Sequence, residues 1–314
     1  MTVYQAVSRY VQARQAGGSD FRAVERLLGT FCRTVGGDAD ISMVTDMQVR
    51  AFLDGRGPIT RYWHRKHSAL HGFYRYAVGR HLVSRAPLPS RLPKSPPAFT
   101  PYVYTREELR RLLDATAQGA KTWCPEPHTL RTLLLLLYGA GLRVGEALHL
   151  GLDDVDLEAE CLVVRDTKFY KTRLVPLGPD LVVVLKQHVA RRTRCRANHP
   201  ENARFFAGRD GGPLHEGTIR RAFARLRKRA GVARTDGARY QPRLHDLRHA
   251  YAVHRVTEWY RQGADVQALL PALSTYLGHL TVSATQVYLT MTPDLLQQAN
   301  RRFEGYALEA VNER

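Results

Sequence analysis

Between Leu82 and Thr105 the chain reads LVSRAPLPSRLPKSPPAFTPYVYT, and six of these residues are proline. Proline has no backbone N–H to donate and holds φ near one value, so such a stretch sustains neither a helix nor an inner strand. It reads as an extended, semi-rigid linker, and the segments on either side must build separate cores. The 314 residues are in any case long for one core. The expected organisation is a domain over 1–82, a linker over 83–104 and a larger domain over 105–314. With 44% hydrophobic and 24% charged residues the composition is that of a globular chain, which excludes disorder over most of its length.

In the first domain apolar residues recur at helical spacing in four segments. These are VYQAVSRYVQARQ; SDFRAVERLLGTFCRTV with Ser19 or Asp20 as N-cap; the short TDMQVRAFLDG; and PITRYWHRKHSALHGFYRYAVGR, opening on Pro58. Past the linker, T-R-E-E at Thr105 has the capping-box pattern ahead of LRRLLDATAQ. PHTLRTLLLLLYG is apolar on nearly every face and is expected to be a buried helix. ECLVVRDTKFYKTRLVPLG holds two Val- and Leu-rich runs about a polar turn, the pattern of a hairpin, and ARFFAG reads as one more short strand. The remaining segments, from PDLVVVLKQHVARRTRC to PDLLQQANRRFEGYALEA, have helical periodicity. The fold class is thus mainly α, with a small antiparallel sheet in an otherwise helical second domain.

Charge narrows the partner. Forty-seven Lys and Arg face 29 Asp and Glu, a formal net charge of +18. Self-repulsion on that scale points to a polyanion, with nucleic acid ahead of an anionic membrane surface. The longest apolar run, LLLLLYGAGL, is about half of what a membrane span needs. The N-terminus reads as an amphipathic helix rather than a signal peptide, so a cytoplasmic location is expected. Cys32, Cys124, Cys161 and Cys195 show neither metal-ligand nor disulfide spacing and read as buried or idle thiols. No metal site and no cofactor are expected.

Four local patterns carry residue types that act on phosphodiesters. In GAGLRVGEAL, Arg143 and Glu146 open a helix after a glycine-rich bend, where a guanidinium can meet an anion; a surface ion pair at i, i+3 is the simpler reading. In LHDLRHAYA, His245 and Arg248 share a helical face, a proton-transfer group beside a charge clamp, or else a polar helix start. In DTKFYKTR, Lys168 and Lys171 occupy the hairpin turn, where a lysine is usually just solvated. In LGHLTVSATQVYLTMTP, His279 precedes Tyr288 by nine positions, and a phenol becomes a nucleophile only if cations or a base stabilise its anion.

In order, these patterns give R…K…H-x-x-R…H…Y over residues 105–303. That constellation, with its nine-residue step from His279 to Tyr288, resembles the catalytic set of the tyrosine recombinases, or phage integrase family. The FYRYAV region is similar to the family's helical core-binding (SAM-like) domain. The resemblance implies that Tyr288 attacks the scissile phosphate to form a 3′-phosphotyrosyl link, with Arg143 and Arg248 as forks on the phosphate and His279 as a further donor. Lys168 would protonate the leaving 5′ oxygen; the TKFYK turn differs from the family's common GKG-type turn and leaves Lys171 as the alternative, with spacing from Arg143 favouring Lys168. His245 would be the base or orienting partner, and Glu146 would hold Arg143.

The resemblance further implies a double-stranded DNA recombination site as substrate, self-assembly to a tetramer, alone or together with a partner recombinase, and a C-terminal helix, PDLLQQANRRFEGYALEA, that docks on a neighbouring protomer, with packing on its own domain as the alternative. It implies no requirement for metal or ATP and a site of action at the bacterial nucleoid. Integration, excision or transposition of a mobile element is the expected role. Xer-like dimer resolution, a type IB topoisomerase and a non-catalytic basic DNA-binding protein are the alternatives.

Overall fold

The computed structural model describes residues 1–18, 21–96, 99–119, 124–165, 172–195, 203–238, 240–279 and 281–286, together with 297 and 300. The chain divides into two compact units, Met1–Phe99 and Thr100–Arg314.

Among its described residues the first unit holds four α-helices, α1 (Val3–Ala16), α2 (Arg22–Val35), α3 (Asp46–Asp54) and α4 (Arg61–Gly79), and one 3-10 turn over Ile41–Met43. Their apolar faces meet around Leu28, Phe31, Leu70, Phe73 and Tyr74, all fully buried. The helix starts are set by hydroxyl oxygens. Thr2 and Thr45 each close a capping box, with Gln5 and Gln48 respectively. α4 opens at Arg61 rather than Pro58, because the Thr60 hydroxyl accepts from the Tyr62 N–H. α2 begins at Arg22 with Phe21 in the cap position; Ser19 and Asp20 lie outside the described residues. Lys66 of the basic α4 turns inward, donating to the Phe52 and Leu53 carbonyls at 2.5 and 2.7 Å. It thereby satisfies the open end of α3 and presents nothing to a phosphate.

In the second unit α5 (Arg106–Ala117) starts with the Thr105–Glu108 capping box. The apolar α6 (Pro127–Gly139) runs through the core, packed by α5, by α8 (Pro179–Cys195) and by α10 (Asp246–Arg261). The short α7 (Val144–His149) leads into an antiparallel sheet of β1 (Val155–Asp156), β2 (Cys161–Val164) and β3 (Arg173–Pro176), in that order, with Leu162 opposite Val175. α9 (Glu216–Arg229), α11 (Val266–Leu277) and α12 (Val282–Gln286) follow among the described residues.

ARFFAG is not a strand. Arg204 and Ala207 make only isolated bridges, to Gly151 and Pro213. Phe205 and Phe206 are both buried, at 1% and 0% exposure, whereas a strand would send neighbouring side chains to opposite faces. The pair is a core plug.

Between α4 and α5 the described residues form neither helix nor strand. The ends of this proline-rich segment are nevertheless held: Val83, Ala86 and Leu88 pack on the first core, and Tyr104 is wholly buried in the second. The Tyr104 hydroxyl donates to the Arg243 carbonyl at 2.9 Å, fastening the loop that leads into α10. Of the segment expected to dock on a neighbour only Gln297 and Asn300 are among the described residues; Leu295, Leu296, Ala299 and Phe303 lie outside them. Among the described residues no helix is long and apolar enough to cross a membrane.

Candidate active site

α6 ends in a bend that only glycine can make. Gly141 has φ +60, and a Cβ there would sit 2.8 Å from Tyr251 and 2.9 Å from Leu277. Gly141→Ala is expected to cost about 2–4 kcal/mol, the sum of left-handed strain and overpacking, read as a lowered thermal midpoint. The bend brings two functional groups together. The Gly141 carbonyl accepts from Arg248 Nη1 at 2.6 Å, and two residues later Arg143 caps α7.

Glu146, one turn into α7, is the hub. Its carboxylate accepts from the Arg143 backbone N–H at 2.9 Å and from Arg143 Nη1 at 2.6 Å. It also accepts both terminal nitrogens of Arg173, at 3.1 and 2.8 Å, and lies 4.0 Å from Arg248 Nη1. The Glu146 side chain is only 9% exposed, so this is no surface pair. Burial by itself would push the carboxyl up; hydrogen bonds from Arg173 and the Arg143 backbone, with both guanidinium charges, overcome it and bring the group to about 2.

The last turn of α11 closes the network. Its left-handed cap, Gly278, gives its carbonyl to Arg143 Nη2 at 3.2 Å. The Tyr276 carbonyl accepts from Arg173 Nε at 3.1 Å, and the Leu277 carbonyl accepts from Arg248 Nη2. His279 Nε2 lies 3.0 Å from the same Arg248 nitrogen, and its Nδ1 is 2.8 Å from the Thr285 hydroxyl. Burial, followed by the charges of Arg248, Arg143 and Arg173, lowers His279 to about 4. The ring is therefore neutral at ordinary pH, and here Nε2 accepts from Arg248 rather than donating outward.

His245 stands at the N-cap of α10, one turn before Arg248. Its side chain reaches solvent, yet the protein packed about it, and then the Arg248 charge, lower its pKa and favour the neutral base. His249, one turn on, is 1% exposed and lowered to about 4, a core imidazole facing away from any substrate. The loop before His245 is pinned by Asp246, which accepts from the Arg243 N–H at 2.8 Å and from its Nη2 at 2.9 Å.

Arg143, Glu146 and His245 line one cleft of about 790 Å³ together with Arg165, Arg220, Arg227 and Arg243. Its walls are strongly cationic. Several of those arginines are anchored within the fold, Arg220 by Glu216 and Arg165 by Asp154. The structure thus brings Arg143, Glu146, Arg248 and His279 together through hydrogen bonds and the 4.0 Å Arg248–Glu146 ion pair, with His245 on the same cleft as Arg143 and Glu146. Lys168, its alternative Lys171, and Tyr288 lie outside the described residues.

A family model described as "Phage integrase family" matches residues 103–294. The chain belongs to the phage integrase family of tyrosine recombinases. The recombinase is 35% identical to "Putative integrase/recombinase y4rB" of Sinorhizobium fredii (strain NBRC 101917 / NGR234), over 96% of this chain and 97% of the relative. It is 32% identical to tyrosine recombinase XerD of Bifidobacterium longum (strain NCC 2705), over 78% of this chain and 76% of the relative. Among solved structures, the Tn1549 transposon integrase in complex with a circular intermediate DNA matches with TM-score 0.69 and 18% identity, covering 96% of this chain and 99% of that one. A lambda integrase tetramer bound to a Holliday junction matches with TM-score 0.66 and 18% identity, over 92% and 77%. At such identities the likeness is one of fold.

Two members of the recombinase's network escaped the sequence reading. Arg173 sits in RLVPLG, where it passes for an exposed strand residue, yet its side chain is only 11% exposed. Thr285 is one hydroxyl in a run of small residues and is wholly buried. Nothing in local spacing distinguishes either from its neighbours.

Glu146→Gln tests the hub. Removing the carboxylate charge leaves three guanidiniums facing one another, an expected loss of about 3–5 kcal/mol and a thermal midpoint lower by on the order of 10 °C. The carboxyl titrates near 2 in the fold against an ordinary 4.5. Its stabilisation, roughly 3 kcal/mol, is therefore fully present above pH 4.5 and lost as pH falls through 2. Denaturant titrations of the two proteins across that window should differ in slope, with Gln lacking this component.

Proposed function

We propose that the recombinase cuts and rejoins double-stranded DNA through a covalent 3′-phosphotyrosyl intermediate, in the integration, excision or transposition of a mobile element. The observation that carries this reading is the convergence of Arg143, Arg248 and His279 around Glu146, beside the cleft lined by His245. Rigid guanidinium forks in a half-buried site are the groups suited to a phosphate whose non-bridging oxygens gain charge in the transition state.

In the proposed step the Tyr288 oxygen attacks phosphorus while the bond to the 5′ oxygen breaks. His245, neutral by its surroundings, takes the phenol proton, and Lys168 returns one to the leaving oxygen. The phosphodiester energy stays in the protein–DNA bond, so a 5′-hydroxyl from a second duplex can reverse the step. Arginines on the exposed face of α9, Arg221 and Arg225 with Lys228, would bind backbone phosphates. The lambda integrase tetramer on a Holliday junction supports a tetramer as the working assembly. The transposon-integrase fold match and the relation to y4rB support the mobile-element role.

The test is covalent capture. The full chain is incubated with sheared genomic DNA of its host, and SDS-stable complexes are isolated and sequenced. Expected are fragments joined through a 3′ phosphate with a free 5′-hydroxyl, with tandem mass spectrometry placing the nucleotide on Tyr288. Captured sites at the ends of a mobile element support the proposed role, and a single chromosomal locus would assign dimer resolution instead. Absence of any SDS-stable adduct would overturn the reading.

A further inference from the structure

Strand alternation on β3 sends Arg173 and Val175 to the inward side, while Leu174, 66% exposed, faces out. A guanidinium on an inward face is costly unless it is well paired, and methionine would fill a similar space. Arg173 is paired on two sides. Its terminal nitrogens grip both oxygens of Glu146, at 3.1 and 2.8 Å, and its Nε donates to the Tyr276 carbonyl at 3.1 Å. The guanidinium also lies against the left-handed turn that ends α11, where a Cβ on Gly278 would sit 2.8 Å from Nη1. That turn supplies the Leu277 and Gly278 carbonyls to Arg248 and Arg143. One side chain thus braces both the shared carboxylate and the turn that grips the two other arginines.

We propose that Arg173 is a positioning residue: as the fixed counter-ion of Glu146 and the seat of the α11 turn, it leaves the Arg143 fork free to act on a phosphate in the cleft. The inference deepens the strand-transfer reading and rests on it for the role of Arg143. The two arginines differ in where they stand. Arg143 lines the cleft with its side chain 36% exposed, whereas Arg173 is 11% exposed and lies outside the cleft lining. Arg173 is therefore placed to act through Glu146 rather than on DNA. A carboxylate 2.6 Å from Arg143 Nη1 would by itself cancel much of that arginine's charge. The planar two-point pairing with Arg173 draws the carboxylate's charge back into the fold. The groups facing Glu146 are Arg143 at the start of α7, Arg173 from β3, Arg248 from α10 and His279 beyond α11. Without Arg173, Glu146 is left to Arg143 and the more distant Arg248, and the Tyr276 carbonyl loses that donor.

The test compares Arg173→Met and Arg173→Lys with wild type on the full chain, at a temperature where circular dichroism shows the proteins folded. With sheared host genomic DNA as probe, covalent capture should be about a hundredfold slower in Arg173→Met, at a DNA affinity within about threefold of wild type. Arg173→Lys should recover capture to about tenfold below wild type, because an ammonium restores the charge but cannot span both Glu146 oxygens and the Tyr276 carbonyl. A residue that only supported the fold would leave capture by the folded variants unchanged. The second readout needs no DNA. In protein labelled with ¹³C at the glutamate carboxyls, the Glu146 signal is identified by its loss in Glu146→Gln. Its titration, at about 2 in wild type, should move up by at least about one pH unit in Arg173→Met. Capture by either folded variant within about threefold of wild type, or an affinity that falls in step with capture, would overturn the proposal. So would an unmoved Glu146 titration. Should Arg173→Met fail to fold, capture by Arg173→Lys decides. Should wild type form no adduct at all, the strand-transfer reading fails, while the Glu146 titration still decides the brace.

Discussion

Tyr288→Phe is expected to bind DNA with wild-type affinity and salt dependence and to form no SDS-stable adduct, a loss of at least about 10⁴-fold in covalent capture. The substitution removes one oxygen and retains the ring, so what it takes away is the proposed nucleophile alone. Tyr276, in α11, offers no substitute. Tyr276 stacks on Tyr251 with ring centroids 5.8 Å apart, and its hydroxyl is directed at the Pro176 carbonyl. Burial, then Tyr251, drives its phenol far above the ordinary value, so it cannot supply a phenolate. Persistent adduct in the Phe protein would move the nucleophile elsewhere and with it the whole assignment of the site. Loss of DNA binding along with the adduct would instead make Tyr288 a structural residue.

Arg248→Ala is expected to damage both fold and chemistry. The side chain is 1% exposed and donates to the Gly141 and Leu277 carbonyls and to His279 Nε2. Truncation leaves those acceptors buried without their donor and opens a cavity beside Glu146, at an expected cost of about 3–5 kcal/mol. On the proposed mechanism covalent capture should fall by at least about 10³-fold, since the donor assigned there to the developing charge is lost. Arg248→Lys separates the two effects. It keeps the charge near Glu146, but one ammonium cannot reproduce a planar fork that reaches two carbonyls and an imidazole. Stability should recover in large part while capture stays at least about tenfold below wild type. Full recovery of capture by lysine would show that position 248 acts through charge alone.

Much of the site was legible because its parts are local. Arg143 and Glu146 are three residues apart across a helix start, and their capping contact follows from that spacing and the glycine bend. His245 and Arg248 have the same separation on α10. The Thr105 capping box and the buried α6 follow equally from near neighbours. The nine-residue interval from His279 to Tyr288 and the order of the six positions were sufficient to indicate the family.

What the amino-acid sequence indicated by itself, then, was the break at the proline-rich segment, most of the helices with the Thr105 capping box, the excess of positive charge, and the family whose chemistry is proposed for these side chains. Only the tertiary structure decided that Glu146 is shared by Arg143 and Arg173 with Arg248 close by, that Arg173 and Thr285 belong to the network, that His249 is core while His245 faces the cleft, and that Phe205 and Phe206 plug the interior. The physical reason is one of range: caps and periodicity are set by residues within one turn, whereas the partners of these charged side chains come from segments 27 residues away (Glu146 and Arg173), 31 (Arg248 and His279) or 135 (Arg143 and Gly278), which meet only when α7, β3, α10 and α11 pack.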